Sequence, residues 1–271
     1  MQKPATTLNQ HHIITVFARL GYAARGVVYL LVGGLAALTV FELGGQTAGS
    51  RGALERVLAA PLGKFMLCAI TIGLIGYAIW RVIQAAKDLD QHGTNAKGLV
   101  IRGALFVSAI THSLLALFAI TLVATIEPSS NGSGGSEGVA QWLLSKPTGR
   151  WLTAILGITV IGAGIAHAIK AWSVKFDRHF DMPKKTQCWT YPICRFGLAI
   201  RGLVFVIVGS FFIIAAYNVD PQQAADTAEV FSIVQAQSYG TWLLAIVAFG
   251  LFSFGIYSVL EAIYRRVNPA A

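Results

Sequence analysis

Polar and apolar residues along this chain do not alternate with the short periods of a soluble fold. They separate into six long apolar stretches, near Val16–Phe41, Leu62–Ala85, Gly98–Ile126, Gly149–Ala171, Cys194–Val219 and Gly240–Ala262. A helix crosses a bilayer with about 20 mostly apolar residues, and each stretch meets that length. Between Arg102 and Glu127 lie 24 consecutive uncharged residues. In the first stretch Arg25 leaves 16 uncharged residues before Glu42. An arginine can extend towards the headgroups, which places Arg25 about a turn and a half inside the helix. No ten-residue alternating pattern suggests an outer-membrane barrel. The first stretch lacks a small-x-small cleavage site and recurs later in the chain, so it reads as a retained helix and not as a signal peptide.

Composition sharpens the class. Of 271 residues, 55% are hydrophobic and 12% charged, where a soluble domain carries roughly 25% charged residues. The basic residues are unevenly placed. One face, formed by both termini, the second and fourth connections and the adjoining helix ends, holds 16 of the 21. The other holds Arg51, Arg56, Lys64, Lys146 and Arg150. With the acids divided five to seven, the faces carry +11 and −2. The positive-inside rule then puts both termini in the cytoplasm. Basic residues along one membrane face suit anionic headgroups, not nucleic acid. All six tryptophans fall near an expected helix end, where an amphipathic ring prefers to sit. Cys188 and Cys194 flank the expected cytoplasmic start of the fifth helix, where a structural disulfide would not persist. Their spacing, near His179, matches no standard zinc pattern, and no metal site is expected.

Self-comparison reveals three copies of one unit. Gly21-Tyr22-Ala23-Ala24-Arg25-Gly26 returns as Gly98-Leu99-Val100-Ile101-Arg102-Gly103 and as Gly197-Leu198-Ala199-Ile200-Arg201-Gly202. Pro61-Leu62-Gly63-Lys64-Phe65, opening the second helix, parallels Pro147-Thr148-Gly149-Arg150-Trp151, and more loosely Ser238-Tyr239-Gly240-Thr241-Trp242. Short amphipathic stretches precede these starts, at Ala53–Ala59, Gly138–Leu144 and Ala228–Val234, and are expected to lie in the outer interface. The chain is therefore read as one all-α membrane domain, 1–271. Its repeats, 17–85, 96–171 and 193–265, form parallel hairpins around a pseudo-threefold axis. Pro128 to Ser136 reads as a flexible outer loop.

Three two-helix repeats suggest the mitochondrial carriers, but their Pro-x-Asp/Glu-x-x-Lys/Arg motif is missing and the odd helices are read as lacking an internal proline. The run from Ala18 to Tyr29, the Pro-x-Gly-x-Phe/Trp starts and the Tyr264-Arg265-Arg266 ending instead resemble a bacterial membrane family named "domain of unknown function 1206". The middle copy departs most, with Ala96 where Arg19 and Arg195 stand. The resemblance implies the architecture and no activity.

Candidate chemistry is sparse. Arg25, Arg102 and Arg201 are equivalent, as are Arg81, His167 and Ser258, and Gln84, Lys170 and Glu261. One expectation is a basic collar of Arg25, Arg102, Arg201, Arg81 and Lys170 that holds an anion or lipid headgroup. The other is that each arginine caps carbonyls of the next hairpin or meets lipid. His112 replaces Leu35 and Phe211 of the other repeats. It is expected near the midplane, neutral, turned into the protein, with Ser108 as neighbour. With His167 it forms a candidate cofactor site. Haem is a minor reading because the two differ in height by roughly 10 Å.

The spans hold no acid except Glu261 at a margin, and no nucleophile–base–acid set is evident, so an enzyme is not expected. Two functions follow as expectations. One is a structural or accessory subunit of another membrane complex. The other is a binding or transport protein for a lipid, hydrophobic cofactor or small anion. The place expected is the bacterial cytoplasmic (inner) membrane, with membrane lipids as partners and no nucleic acid.

Overall fold

A computed structural model describes residues 5–43, 47–89, 93–124, 136–173, 180 and 182–265. Among these residues nine α-helices form: α1 (Ala5–Val40), α2 (Ser50–Ala59), α3 (Gly63–Lys87), α4 (Ala96–Ala124), α5 (Ser136–Leu144), α6 (Gly149–Trp172), α7 (Lys184–Asn218), α8 (Thr227–Gln235) and α9 (Gly240–Tyr264). The six long ones, α1, α3, α4, α6, α7 and α9, are long and apolar enough to cross a membrane. The short helices α2, α5 and α8 fall where the amphipathic stretches predict them. The expected loop at Pro128 to Ser136 lies almost wholly outside the described residues, as does His179.

The repeated Gly at the start of each even helix has a steric cause. A methyl on Gly63, Gly149 or Gly240 would collide with backbone carbonyls of the short helix before it, at Val57 and Leu58, Leu143, and Gln235 respectively. Only glycine lets the chain fold back so tightly between the two helices. Asp226 opens α8 with a capping box: its carboxylate accepts from the Ala228 N–H at 2.6 Å, and Glu229 reaches back to the Asp226 N–H.

The long helices pack most extensively as α6 on α7, α1 on α9 and α3 on α4. Contacts of α1 with α3 and of α7 with α9 come next, and α4 touches α6 lightly. Two of these seams match residue by residue. A methyl on Gly202 would lie 2.6 Å from the Gly164 carbonyl oxygen, and one on Gly26 would lie 3.2 Å from the Gly255 carbonyl oxygen. One turn pair further on, Gly209 meets the Gly157 carbonyl at 2.7 Å by the same measure, and Gly33 meets that of Ala248 at 2.7 Å. Small residues let backbones approach where lipid supplies no hydrophobic drive. The third seam, α3 on α4, lacks this contact: Gly103 has open space around it, and Ile110 stands where Gly33 and Gly209 do. An apolar groove of about 300 Å³ runs along that seam between Ile75, Ala78 and Val82 on one side and Ser113, Ala116 and Leu117 on the other.

Two expectations need correction. The fifth long helix begins at Lys184, ten residues before the expected Cys194, and so contains Pro192. The apolar stretch set the expected start, but a helix can continue beyond the apolar region. Pro192, lacking an N–H, cannot bond the Cys188 carbonyl as other helix residues would. Trp80 does not present its ring outward. It is 3% exposed and donates its Nε1–H to the Tyr22 hydroxyl at 3.1 Å. Trp142, Trp151, Trp172, Trp189 and Trp242 are all exposed.

Candidate functional site

The polar interior is built around Glu261 on α9, which is 2% exposed. Although it stands three residues from the end of α9, it is the one carboxylate among the described residues of this network. Arg25 on α1 pairs with its Oε2. Its Oε1 accepts from Arg265 at 2.6 Å and from the Tyr257 hydroxyl at 2.8 Å. Lys170 on α6 donates to the Tyr257 hydroxyl at 2.6 Å and stands 3.9 Å from Glu261. A buried carboxylate is tolerated when it is paired and its lone pairs are filled.

Arg25 also donates to Ser258 Oγ, at 3.1 Å, and to the Tyr77 hydroxyl. The Ser258 hydroxyl points its own proton at the Phe254 carbonyl, 2.9 Å away, which leaves its lone pairs to Arg25. Arg81 also donates to Tyr77, from Nε at 2.8 Å, and to Gln84 Oε1 at 2.9 Å. One phenol oxygen on α3 thus bridges two guanidinium groups.

The three equivalent arginines have three different fates. Arg25 joins the carboxylate network. Arg102 caps its neighbouring hairpin, donating to the Ala85 carbonyl at 2.7 Å and the Ala86 carbonyl at 3.2 Å. Arg201 is 7% exposed and lies among rings, 3.7 Å from the Phe205 centroid, 4.4 Å from Tyr29 and 5.6 Å from Phe254. Such contacts stabilise a cation, and among the described residues none supplies an acceptor for its N–H groups. The expected collar is therefore divided: Arg25, Arg81 and Lys170 meet through Tyr77, Tyr257 and Glu261, while Arg102 stands apart on backbone carbonyls.

Both membrane histidines carry one arrangement. His112 Nδ1–H donates to the Ser108 carbonyl at 2.7 Å, and His167 Nδ1–H to that of Ala163 at 2.8 Å. A carbonyl can only accept, so each ring keeps a bare Nε2 lone pair in its neutral form. The half-buried His112 turns towards α3, its ring 4.5 Å from that of Tyr77. Ser108 is its neighbour through the backbone, and the hydrogen bond stays within α4. His167 faces Phe205 of α7 at 5.6 Å and Phe254 of α9 at 5.9 Å. The two candidate cofactor residues thus sit against different neighbours. Among the described residues no group of three or more His, Cys, Asp or Glu gathers as for a metal. Cys188 is exposed and Cys194 buried.

Sequence reasoning missed Tyr77, Tyr257 and Arg265. A signal existed for two of them. Tyr77 stands where the other repeats have Ala163 and Phe254, the same kind of departure that singled out His112. Arg265 follows Glu261 by four residues, the spacing at which helix side chains meet.

Comparison with known proteins agrees with this architecture. The profile of the family described as "Domain of Unknown Function (DUF1206)" matches three times, at residues 20–88, 103–173 and 196–265. The chain belongs to that family, whose function is not established, and it carries six helices long and apolar enough to cross a membrane. It is similar to a protein of Bacillus subtilis (strain 168) described as "Uncharacterized protein YxxB", 34% identical over 257 residues, which covers 93% of this chain and 91% of that one. No solved structure matches.

Proposed function

We propose that this protein is a non-catalytic accessory subunit of the bacterial cytoplasmic membrane whose second hairpin docks against a transmembrane helix of a partner protein. The observation that carries the reading is uneven burial. In the spans of α4 and α6, 22% and 17% of residues are buried, against 44–50% in the other four. These helices also touch each other lightly, although α1 with α3 and α7 with α9 pack well. A hairpin that does not close on itself leaves apolar side chains on both helices, among them Leu117 and Ile158, free for a partner. Association in lipid depends on such packing surfaces. The commitment of Glu261 to Arg25, Arg265 and Tyr257 supports the non-catalytic part, since it leaves no carboxylate of the network idle.

Three hairpins about a pseudo-threefold axis, with both termini cytoplasmic and α2, α5 and α8 in the outer interface, complete the reading. The matching of Gly26–Gly255 with Gly202–Gly164 supports the axis, and the basic asymmetry supports the orientation. The test is photo-crosslinking in intact cells from Leu117 on α4 and Ile158 on α6, with Phe249 on α9 as reference. One discrete protein adduct from both α4 and α6, absent from Phe249, is the expected result. Lipid adducts alone at all three would end the proposal. Reporter fusions at Gly134 and after Ala271 should read opposite sides, and an external C-terminal reporter would reverse the orientation.

A further inference from the structure

We infer that Arg201 and His167 form a binding site for a phosphate oxyanion that carries a neighbouring hydroxyl. The first ground is Arg201 itself. It is 93% buried by residue area, and among the described residues its contacts are the rings of Tyr29, Phe205 and Phe254, with no acceptor for its N–H groups and no carboxylate. A buried cation without a counter-charge is costly, and one arranged this way is completed by an anion. Arg25, at the equivalent position, shows what completion looks like: there the acceptors are Glu261, Ser258 and Tyr77. The residues equivalent to Ser258 and Glu261 in the seam of Arg201 are His167 and Lys170, neither of which supplies a negative charge. Lys170 is turned away towards Tyr257.

The second ground is His167. Its ring shares Phe205 and Phe254 with Arg201, and its Cβ lies 3.4 Å from where a methyl on Gly202, the next residue, would stand. Its Nδ1–H is held by the Ala163 carbonyl, so in the neutral ring Nε2 is an acceptor, without a donor among the described residues. A donor cation and an acceptor nitrogen packed on the same two rings select a ligand that presents both an anionic oxygen and an O–H. A phosphodiester with a glycerol headgroup, as in phosphatidylglycerol, has this pair, and so does free hydrogen phosphate. Arg201 takes the oxyanion through its planar N–H edge and His167 takes the hydroxyl.

The test uses the full chain, stripped of lipid in a neutral detergent, with native mass spectrometry and thermal unfolding read for phosphatidylglycerol, phosphatidylcholine and inorganic phosphate. One phosphatidylglycerol per chain should bind and raise the unfolding temperature, with phosphatidylcholine doing neither. If inorganic phosphate gives the same shift and displaces the lipid, the oxyanion is the free ion; if it does neither, the headgroup is the ligand. Arg201→Gln should weaken binding by about tenfold or more, the scale of one lost charge-assisted bond. Without anion this variant should unfold no earlier than the native chain, because it removes an uncompensated buried cation. His167→Leu should weaken the same binding by about tenfold and decides the matter should Arg201→Gln not fold. Arg102→Gln, whose guanidinium is used on backbone carbonyls, should leave affinity unchanged. Absence of binding by the native chain, unchanged binding by Arg201→Gln or by His167→Leu, or an equal loss in Arg102→Gln would overturn the inference.

Discussion

The seam between α1 and α9 and the seam between α3 and α4 begin from one motif and end in different structures. In the first, Arg25 reaches Glu261 and Ser258 across the interface, and Gly26 and Gly33 bring the backbones together. In the second, Arg102 turns to the carbonyls of Ala85 and Ala86, Gly103 faces open space, and a groove remains. The difference originates on the even helix. Where α9 offers Ser258 and Glu261, α3 offers Arg81 and Gln84. With no acid on α3 to hold them together, Arg81 goes to Tyr77 and Arg102 goes to backbone. A repeated motif thus fixes where a cation starts, and its neighbour fixes what it does.

The strongest way to break this contrast is Glu261→Gln. Arg25 and Arg265, 6% and 8% exposed, would keep their charges and lose the carboxylate they share. Loss of one partner from a buried pair costs about 3–5 kcal/mol, so the variant should unfold far below the native chain in a thermal melt. Replacing Glu261 and Arg25 together by methionine should recover the share of that loss that comes from Arg25. If Glu261→Gln melts with the native chain, the network does not hold the α1–α9 seam.

A smaller effect should separate the glycines. Gly202→Ala places a methyl 2.6 Å from the Gly164 carbonyl and should cost about 1–3 kcal/mol by overpacking. Gly103→Ala, with no atom within 4 Å of the added carbon, should instead gain about 0.5–1 kcal/mol from helix propensity. Opposite shifts in the midpoint of a denaturant titration would sharpen the comparison. Equal losses at both positions would show that α3 and α4 pack as closely as α6 and α7.

The smallest effect is expected from His112→Leu, which restores the side chain of the first repeat. It removes the ring contact with Tyr77, worth about 0.5–1.5 kcal/mol, and a hydrogen bond internal to α4. A modest fall in melting temperature with an unchanged fold is the expected outcome. A loss as large as that of Glu261→Gln would give His112 a role beyond the seam.

Much of this molecule was written in local sequence. Six helices long enough to span, three copies of Gly-x3-Arg-Gly and short amphipathic helices follow from runs of apolar residues and from self-similarity, because a bilayer demands a fixed length of apolar helix whatever its neighbours are. The helix start at Lys184 escaped because hydropathy marks the edge of the apolar run and not the end of the hydrogen-bonded ladder. The chemistry escaped for a different reason. Arg25, Arg102 and Arg201 are alike along the chain, and nothing local tells which meets Glu261, which meets backbone and which is left among rings. Arg25 finds Tyr77 across 52 residues and Glu261 across 236. Those choices depend on which helices touch and on the charge each brings, so only the tertiary structure, where one carboxylate is contested by several cations, decides them.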